Sequence, residues 1–96
     1  MAREVIWTEP ASDDLEAAAA FIARDSQTYA AAFVREVLEA AESLSEFADR
    51  GQEVPEFADH SIRELLVRPY RPIYHVSSDR VVISALVHGA LRARRT

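Results

Sequence analysis

Two helical periods separated by only four residues, "DSQT", constrain this chain's fold more than any other feature. In "ASDDLEAAAAFIAR", Leu15, Ala18, Ala19 and Ile22 recur at helical spacing and form one apolar stripe. From Gln27 to about Ala48 the period returns: Phe33, Val37, Ala40, Ala41 and Leu44 form the stripe, and Glu36, Glu39, Glu42 and Glu46 lie mostly outside it. So short a connection between two long amphipathic helices implies an antiparallel hairpin. Leu15, Ile22, Phe33, Val37 and Leu44 are the large residues of its two stripes, and they need a sheet to be buried against.

The flanking segments supply that sheet. "REVIWT" is short, β-branched and aromatic, and reads as a strand. Thr8 is placed to cap the first helix, with Glu9 and Pro10 in its first turn. Asp13, Asp14 and Glu16 suit the positive end of the helix dipole. Asp25 or Ser26 caps the second helix, and Arg50-Gly51 ends the helical region. "GQEVPEFADHS" reads as a polar loop, Ile62 to Val67 as a strand, Arg68-Pro69 as a turn and Tyr70 to Val76 as the next strand. Pro72 offers no N–H to a ladder, so it must occupy a non-bonded position or a bulge. After the turn Ser77 to Asp79, "RVVISALVH" is the strongest strand signal, Gly89 ends it, and "ALRARRT" is a basic tail. The order β-α-α-β-β-β predicts an α+β fold: a helical hairpin on one face of a small, mainly antiparallel sheet, with residues 1–96 forming one domain.

Composition removes several function classes. With no cysteine, disulfides and thiolate metal sites are excluded, and His60, His75 and His88 are too dispersed for a metal motif. No nucleophile motif or glycine-rich phosphate loop is present, so neither metal nor cofactor is expected. The N-terminus lacks an apolar signal region and no apolar run is long enough to span a bilayer, so a cytoplasmic protein is expected. The formal net charge is −5, yet it is unevenly spread. Residues 1–50 carry four arginines against eleven acids; residues 51–96 carry seven arginines against five. Lysine is absent.

Side chains alternate across a strand. In the strand 70–76, Tyr70, Pro72, Tyr74 and Val76 make the better core face, which turns Arg71, Ile73 and His75 away from the helices. In the last strand, strict alternation groups His88 with Val82, Ser84 and Leu86, and groups Val81, Ile83, Ala85 and Val87 opposite; the pattern does not choose between the two faces. Three readings of the arginine-bearing strands stay open: solvated side chains paired with nearby carboxylates such as Glu64, a grip on an anionic partner, or acid–base chemistry on a phosphate.

The run "VIWTEPASDDLEAAAAFI", a second long helix, "IRELLVRPYRPIYHV" and "VVISALVHGALR" together resemble the RelE/ParE superfamily of bacterial toxins, and within it the ParE branch. The pieces that carry the resemblance are Trp7-Thr8 with Asp14-Leu15, Arg63-Glu64-Leu65, Tyr70-Arg71 with Tyr74, and His88-Gly89. The resemblance implies a type II toxin held by a cognate ParD-like antitoxin. It implies DNA gyrase as the target for the ParE branch, or ribosome-dependent mRNA cleavage for the RelE branch. It implies no sequence-specific DNA binding by this chain alone. It also implies that Arg63, Arg71, Ile73, His75, His88 and Arg92 meet the partner or target, an acidic antitoxin segment being one candidate. A nuclease would draw on Arg71, His75, His88 and Arg92. Against that role, Gly89, Ala90 and Leu91 stand where a nuclease wants basic or tyrosine side chains, and no tyrosine follows Tyr74. A toxin that acts by binding is the expectation, and a non-toxic homologue that still binds antitoxin is the remaining alternative.

Overall fold

The computed structural model describes residues 2–89. Strand β1 (Glu4–Trp7) leads into helix α1 (Glu9–Ala23), and helix α2 (Gln27–Ser43) follows. Strands β2 (Gln52–Glu53), β3 (Ile62–Glu64), β4 (Tyr70–Val76) and β5 (Arg80–His88) complete one sheet in the order β1-β5-β4-β3-β2. The β1–β5 pair is parallel and the other pairs are antiparallel. This is the expected hairpin-on-sheet architecture with one addition. The two-residue β2 lies inside the segment that reads as a polar loop, and only its pairing with Arg63 and Glu64 makes it a strand.

Both helix starts follow from their caps. The Thr8 hydroxyl accepts from the Ala11 N–H at 3.2 Å, with Pro10 in the first turn where its missing N–H costs nothing. The Ser26 hydroxyl accepts from the Tyr29 N–H at 3.0 Å, so Ser26 rather than Asp25 is the cap. Helix α2 stops at Ser43, about a turn before the sequence pattern suggests, and the chain continues through turns to Arg50.

Phe33, Val37 and Leu44 are buried as their stripe requires, but on α1 the deepest residues are Ala11 and Ala18. Leu15 and Ile22 are only partly buried at the edge of the core. Alanine allows the α1 backbone to approach β5 closely, and the larger side chains then splay to the sides.

The face pattern of β4 is as the sequence predicts. Tyr70 and Tyr74 pack beneath the helices, while Arg71, Ile73 and His75 point to the opposite face. Pro72 accepts from the Leu65 N–H at 2.9 Å, so its backbone polar groups face the β3 side. Its missing N–H therefore leaves the β5 ladder untouched.

β5 departs from strict alternation. Ile73 pairs with Ala85 and Tyr74 with Ile83, so Ser84 is an extra residue. Its hydroxyl donates to the Ile73 carbonyl at 3.2 Å. The bulge rotates the strand by one position, so Leu86 and His88 join Val81 and Ile83 beneath the helices. The grouping of His88 with Val82 and Ser84 is thereby corrected.

Beyond Ile83, β1 no longer runs alongside β5. The Leu86 N–H instead donates to the Asp14 carboxylate at 3.0 Å, tying α1 to the middle of β5. Asp14 thus serves as a ladder partner rather than merely as a dipole counter-charge. Replacing Asp14 by Ala should leave that half-buried N–H unmatched and cost about 1–3 kcal/mol in urea unfolding. Asp14→Asn keeps an acceptor oxygen and should lose less.

Candidate functional site

The side chains singled out in the sequence divide between the two faces of the sheet. Arg71, Ile73 and His75 occupy the face away from the helices, across from Val87, Ala85 and Val82 of β5 and beside Glu64 and Ile62 of β3. Arg63 pairs with Tyr74 and so lies on the helix side. Its guanidinium donates to the Gly51 carbonyl at 2.8 Å. His88 is also on the helix side, edge-on to the Tyr70 ring with centroids 5.2 Å apart, and Tyr70 in turn lies 5.3 Å from Phe33. Arg92 lies outside the described residues. Of the six expected contact residues, the fold brings three together. It separates His88 from Arg71 and His75 by the thickness of the sheet.

Arg71 is not presented to solvent. Its guanidinium donates to Glu64 and lies 3.8 Å from the Glu56 carboxylate. The three side chains are only 12%, 13% and 11% exposed. Glu56 arrives from the loop after β2, which brings it over this face, and Ile73 is buried there. Among the described residues, two carboxylates surround this one guanidinium and offset its positive charge. The carboxylate pairing expected of solvated arginines is therefore present, but in a mostly buried form. Arg71→Ala should remove the guanidinium from between these mostly buried carboxylates and lower the unfolding free energy by roughly 3–5 kcal/mol.

A second cluster sits at the other end of the hairpin. A cleft of about 430 Å³ is lined by Arg3, Glu46, Asp49, His60, Ser61 and Arg63. Its wall depends on the Tyr74 hydroxyl, which donates to the Ala48 carbonyl at 2.9 Å and accepts from the Gly51 N–H at 3.0 Å. A Cβ on Gly51 would stand 2.3 Å from that hydroxyl and 2.5 Å from the Glu64 carbonyl oxygen, so close approach, and not backbone angle, demands glycine here. Burial pushes the Tyr74 phenol above its ordinary range. Exposed His60 lies 2.9 Å from Glu53, whose hydrogen bond and charge raise the imidazole's pKa above 6.5.

The third feature is apolar. A groove of about 460 Å³ runs between the helices, with Trp7, Leu15, Ala19, Val34 and Leu38 among its lining residues and Ser12 and Glu16 at its α1 edge. Nothing in the helical stripes singled it out, because Val34 and Leu38 sit beside the core stripe of α2 rather than on it. The available signal was Leu38, a large apolar residue outside the stripe, which is 47% exposed. Among the described residues there is no group of three or more histidine, aspartate or glutamate side chains fit to hold a metal. Nor is any described helix long and apolar enough to cross a membrane.

The family model for the ParE toxin of the type II toxin–antitoxin system, parDE, matches residues 5–91. The chain belongs to the ParE toxin family. The fold agrees with solved structures. The chromosomal ParDE system of P. aeruginosa aligns with a TM-score of 0.72 at 22% identity, over 90% of this chain and 95% of that one. A chain of the E. coli DinJ-YafQ toxin–antitoxin complex aligns with a TM-score of 0.62 at 12% identity, over 94% of this chain and 96% of that one. A second structure of the E. coli DinJ-YafQ complex gives 0.56 at 13% identity, over 92% and 94%. Among curated proteins, none matches the chain.

In this ParE-family chain, the pH response of His60 is open to direct measurement. Its NMR titration midpoint should lie above 6.5 and fall towards that value in Glu53→Gln. A raised folded-state pKa means that the pair's stabilising contribution is present below the unfolded value and lost as pH rises through the folded value.

Proposed function

We propose that this ParE-family toxin acts by binding rather than by cutting RNA, that DNA gyrase is its target, and that a ParD-like antitoxin neutralises it. The observation that carries the choice is the separation of the candidate acid–base groups. Cleavage of RNA through its own 2′-hydroxyl needs a base, an acid and positive charge in one place. Here Arg71 is enclosed by Glu64 and Glu56, and His88 faces the helices. The net charge of −5 also opposes docking on a polyphosphate. The gyrase assignment itself follows the ParE family. An antitoxin partner is supported by the toxin–antitoxin systems among the structural neighbours and by an apolar groove left uncovered on a small domain.

The test is induction in cells, with transcript mapping alongside DNA supercoiling and damage readouts. Inhibited supercoiling with intact transcripts is the expected result. Codon-spaced mRNA cleavage would make the chain an endonuclease, and normal growth would make it a non-toxic homologue. Because Arg71→Ala also weakens the fold, its effect on toxicity has meaning only beside its measured stability. Co-expression with the product of the adjacent short reading frame should give a stable complex; a toxin that purifies free of that product would remove the antitoxin reading.

A further inference from the structure

The cleft beside the Tyr74 hydroxyl holds opposite charges that do not meet. Three segments build it: the residues leading into β1 bring Arg3, the turns after α2 bring Glu46 and Asp49, and β3 brings Arg63. Two other polar side chains of the lining are already engaged. His60 lies against Glu53, and the Ser61 hydroxyl donates to the Asp59 carboxylate at 2.6 Å. The two guanidiniums are held by neutral carbonyls: Arg3 donates to that of Ser77 at 2.8 Å, and Arg63 to that of Gly51 at 2.8 Å. A guanidinium carries several N–H donors, so each keeps capacity for a further acceptor. Among the described residues, no ion pair joins Arg3 or Arg63 to Glu46 or Asp49. The arginines are half-buried and the carboxylates exposed, so the positive pole is the better shielded from solvent.

Formally these two cations and two anions cancel, so they leave no excess charge to draw in a simple anion or a simple cation. A ligand that carries both charges satisfies both poles at once. The volume of about 430 Å³ falls within the range of about 300–1,000 Å³ typical of small-molecule sites, and Ala48 and Val76 add apolar surface. We propose that this cleft binds a small zwitterion of amino-acid or short-peptide size, with its carboxylate on Arg3 and Arg63 and its ammonium group towards Glu46 and Asp49. The site goes beyond the toxin–antitoxin reading, and neither toxicity nor an antitoxin enters its test. Because its residues come from three segments, an occupant ties the start of β1, the turns after α2 and β3 to one another. A ligand that binds only the folded chain raises its stability.

The probes are glycylglycine, which has both charges, N-acetylglycylglycine, which keeps only the carboxylate, and glycylglycinamide, which keeps only the ammonium group. Each is titrated at neutral pH and constant ionic strength into the full-length chain, with backbone amide NMR shifts as the readout. Glycylglycine should shift the amides of Ala48, Asp49 and Arg63 saturably and raise the thermal unfolding midpoint. Each single-charge analogue should bind at least about tenfold more weakly. Two variants assign the poles. Arg3→Gln keeps a donor for the Ser77 carbonyl and should weaken glycylglycine and N-acetylglycylglycine but not glycylglycinamide. Glu46→Gln with Asp49→Asn, both at exposed positions, should weaken glycylglycine and glycylglycinamide but not N-acetylglycylglycine. A dispersed amide spectrum of each unliganded variant shows that the fold is kept. If Arg3→Gln fails to fold, the three-probe comparison and the double variant still decide. N-acetylglycylglycine binding as tightly as glycylglycine would make the cleft an anion site, and equally tight glycylglycinamide would make it a cation site. Either result overturns the proposal, as would glycylglycine shifts that never saturate or that centre away from the cleft.

Discussion

The extra residue in β5 decides what this sheet can hold. Without Ser84 as a bulge, strict alternation would bury either Val81 and Ile83 or Leu86 and His88, but not both pairs. With it, the strand gives the helices an unbroken apolar surface from Val81 to Leu86. The same shift leaves the Leu86 N–H facing a gap beyond the end of β1, and the Asp14 carboxylate fills that gap. The seating of α1 depends on this bond between residues far apart in the chain.

Charge in this molecule is organised by face rather than by sequence half. The arginine most suggestive of phosphate chemistry is held between two glutamates, while exposed Glu16 stands at the α1 edge of the helical groove. A buried ion cluster of this kind gains little net stability over an apolar equivalent, but it resists the loss of one member. Arg71 therefore reads as a fastener that holds the loop after β2 against the sheet. The surfaces left for recognition are the groove and the more exposed parts of the open face around His75.

Much of this architecture is legible in local pattern. The two helical stripes, the caps at Thr8 and Ser26 and the facing of β4 all follow from periods within a few residues. The features that escaped local reading depend on partners far away in sequence. A bulge at Ser84 carries no glycine to announce it, and its only cause is the match between β5 and β4 on either side. β2 is two polar residues that become a strand by pairing with Arg63 and Glu64. Arg63 looked like a companion of Arg71, yet the two are eight positions apart across a turn, and the register sends them to opposite faces. The groove was hidden for a related reason: it lies where two helices diverge, a property of their packing and not of either helix alone.

The parallel pair β1–β5 joins the two ends of the described chain, and the Thr8 N–H donates to the Ile83 carbonyl across that seam at 3.0 Å. Pairings of such long sequence separation close a large loop before they return any contact energy. During synthesis the hairpin emerges first, with its apolar stripes facing a sheet whose inner strands have not yet been made. Neither α1 nor the edge strand β1 has its seat until β5 has left the ribosome. The topology thus makes an incomplete translation product an unfolded chain rather than a partial toxin, and ties the appearance of any binding surface to completion of the protein.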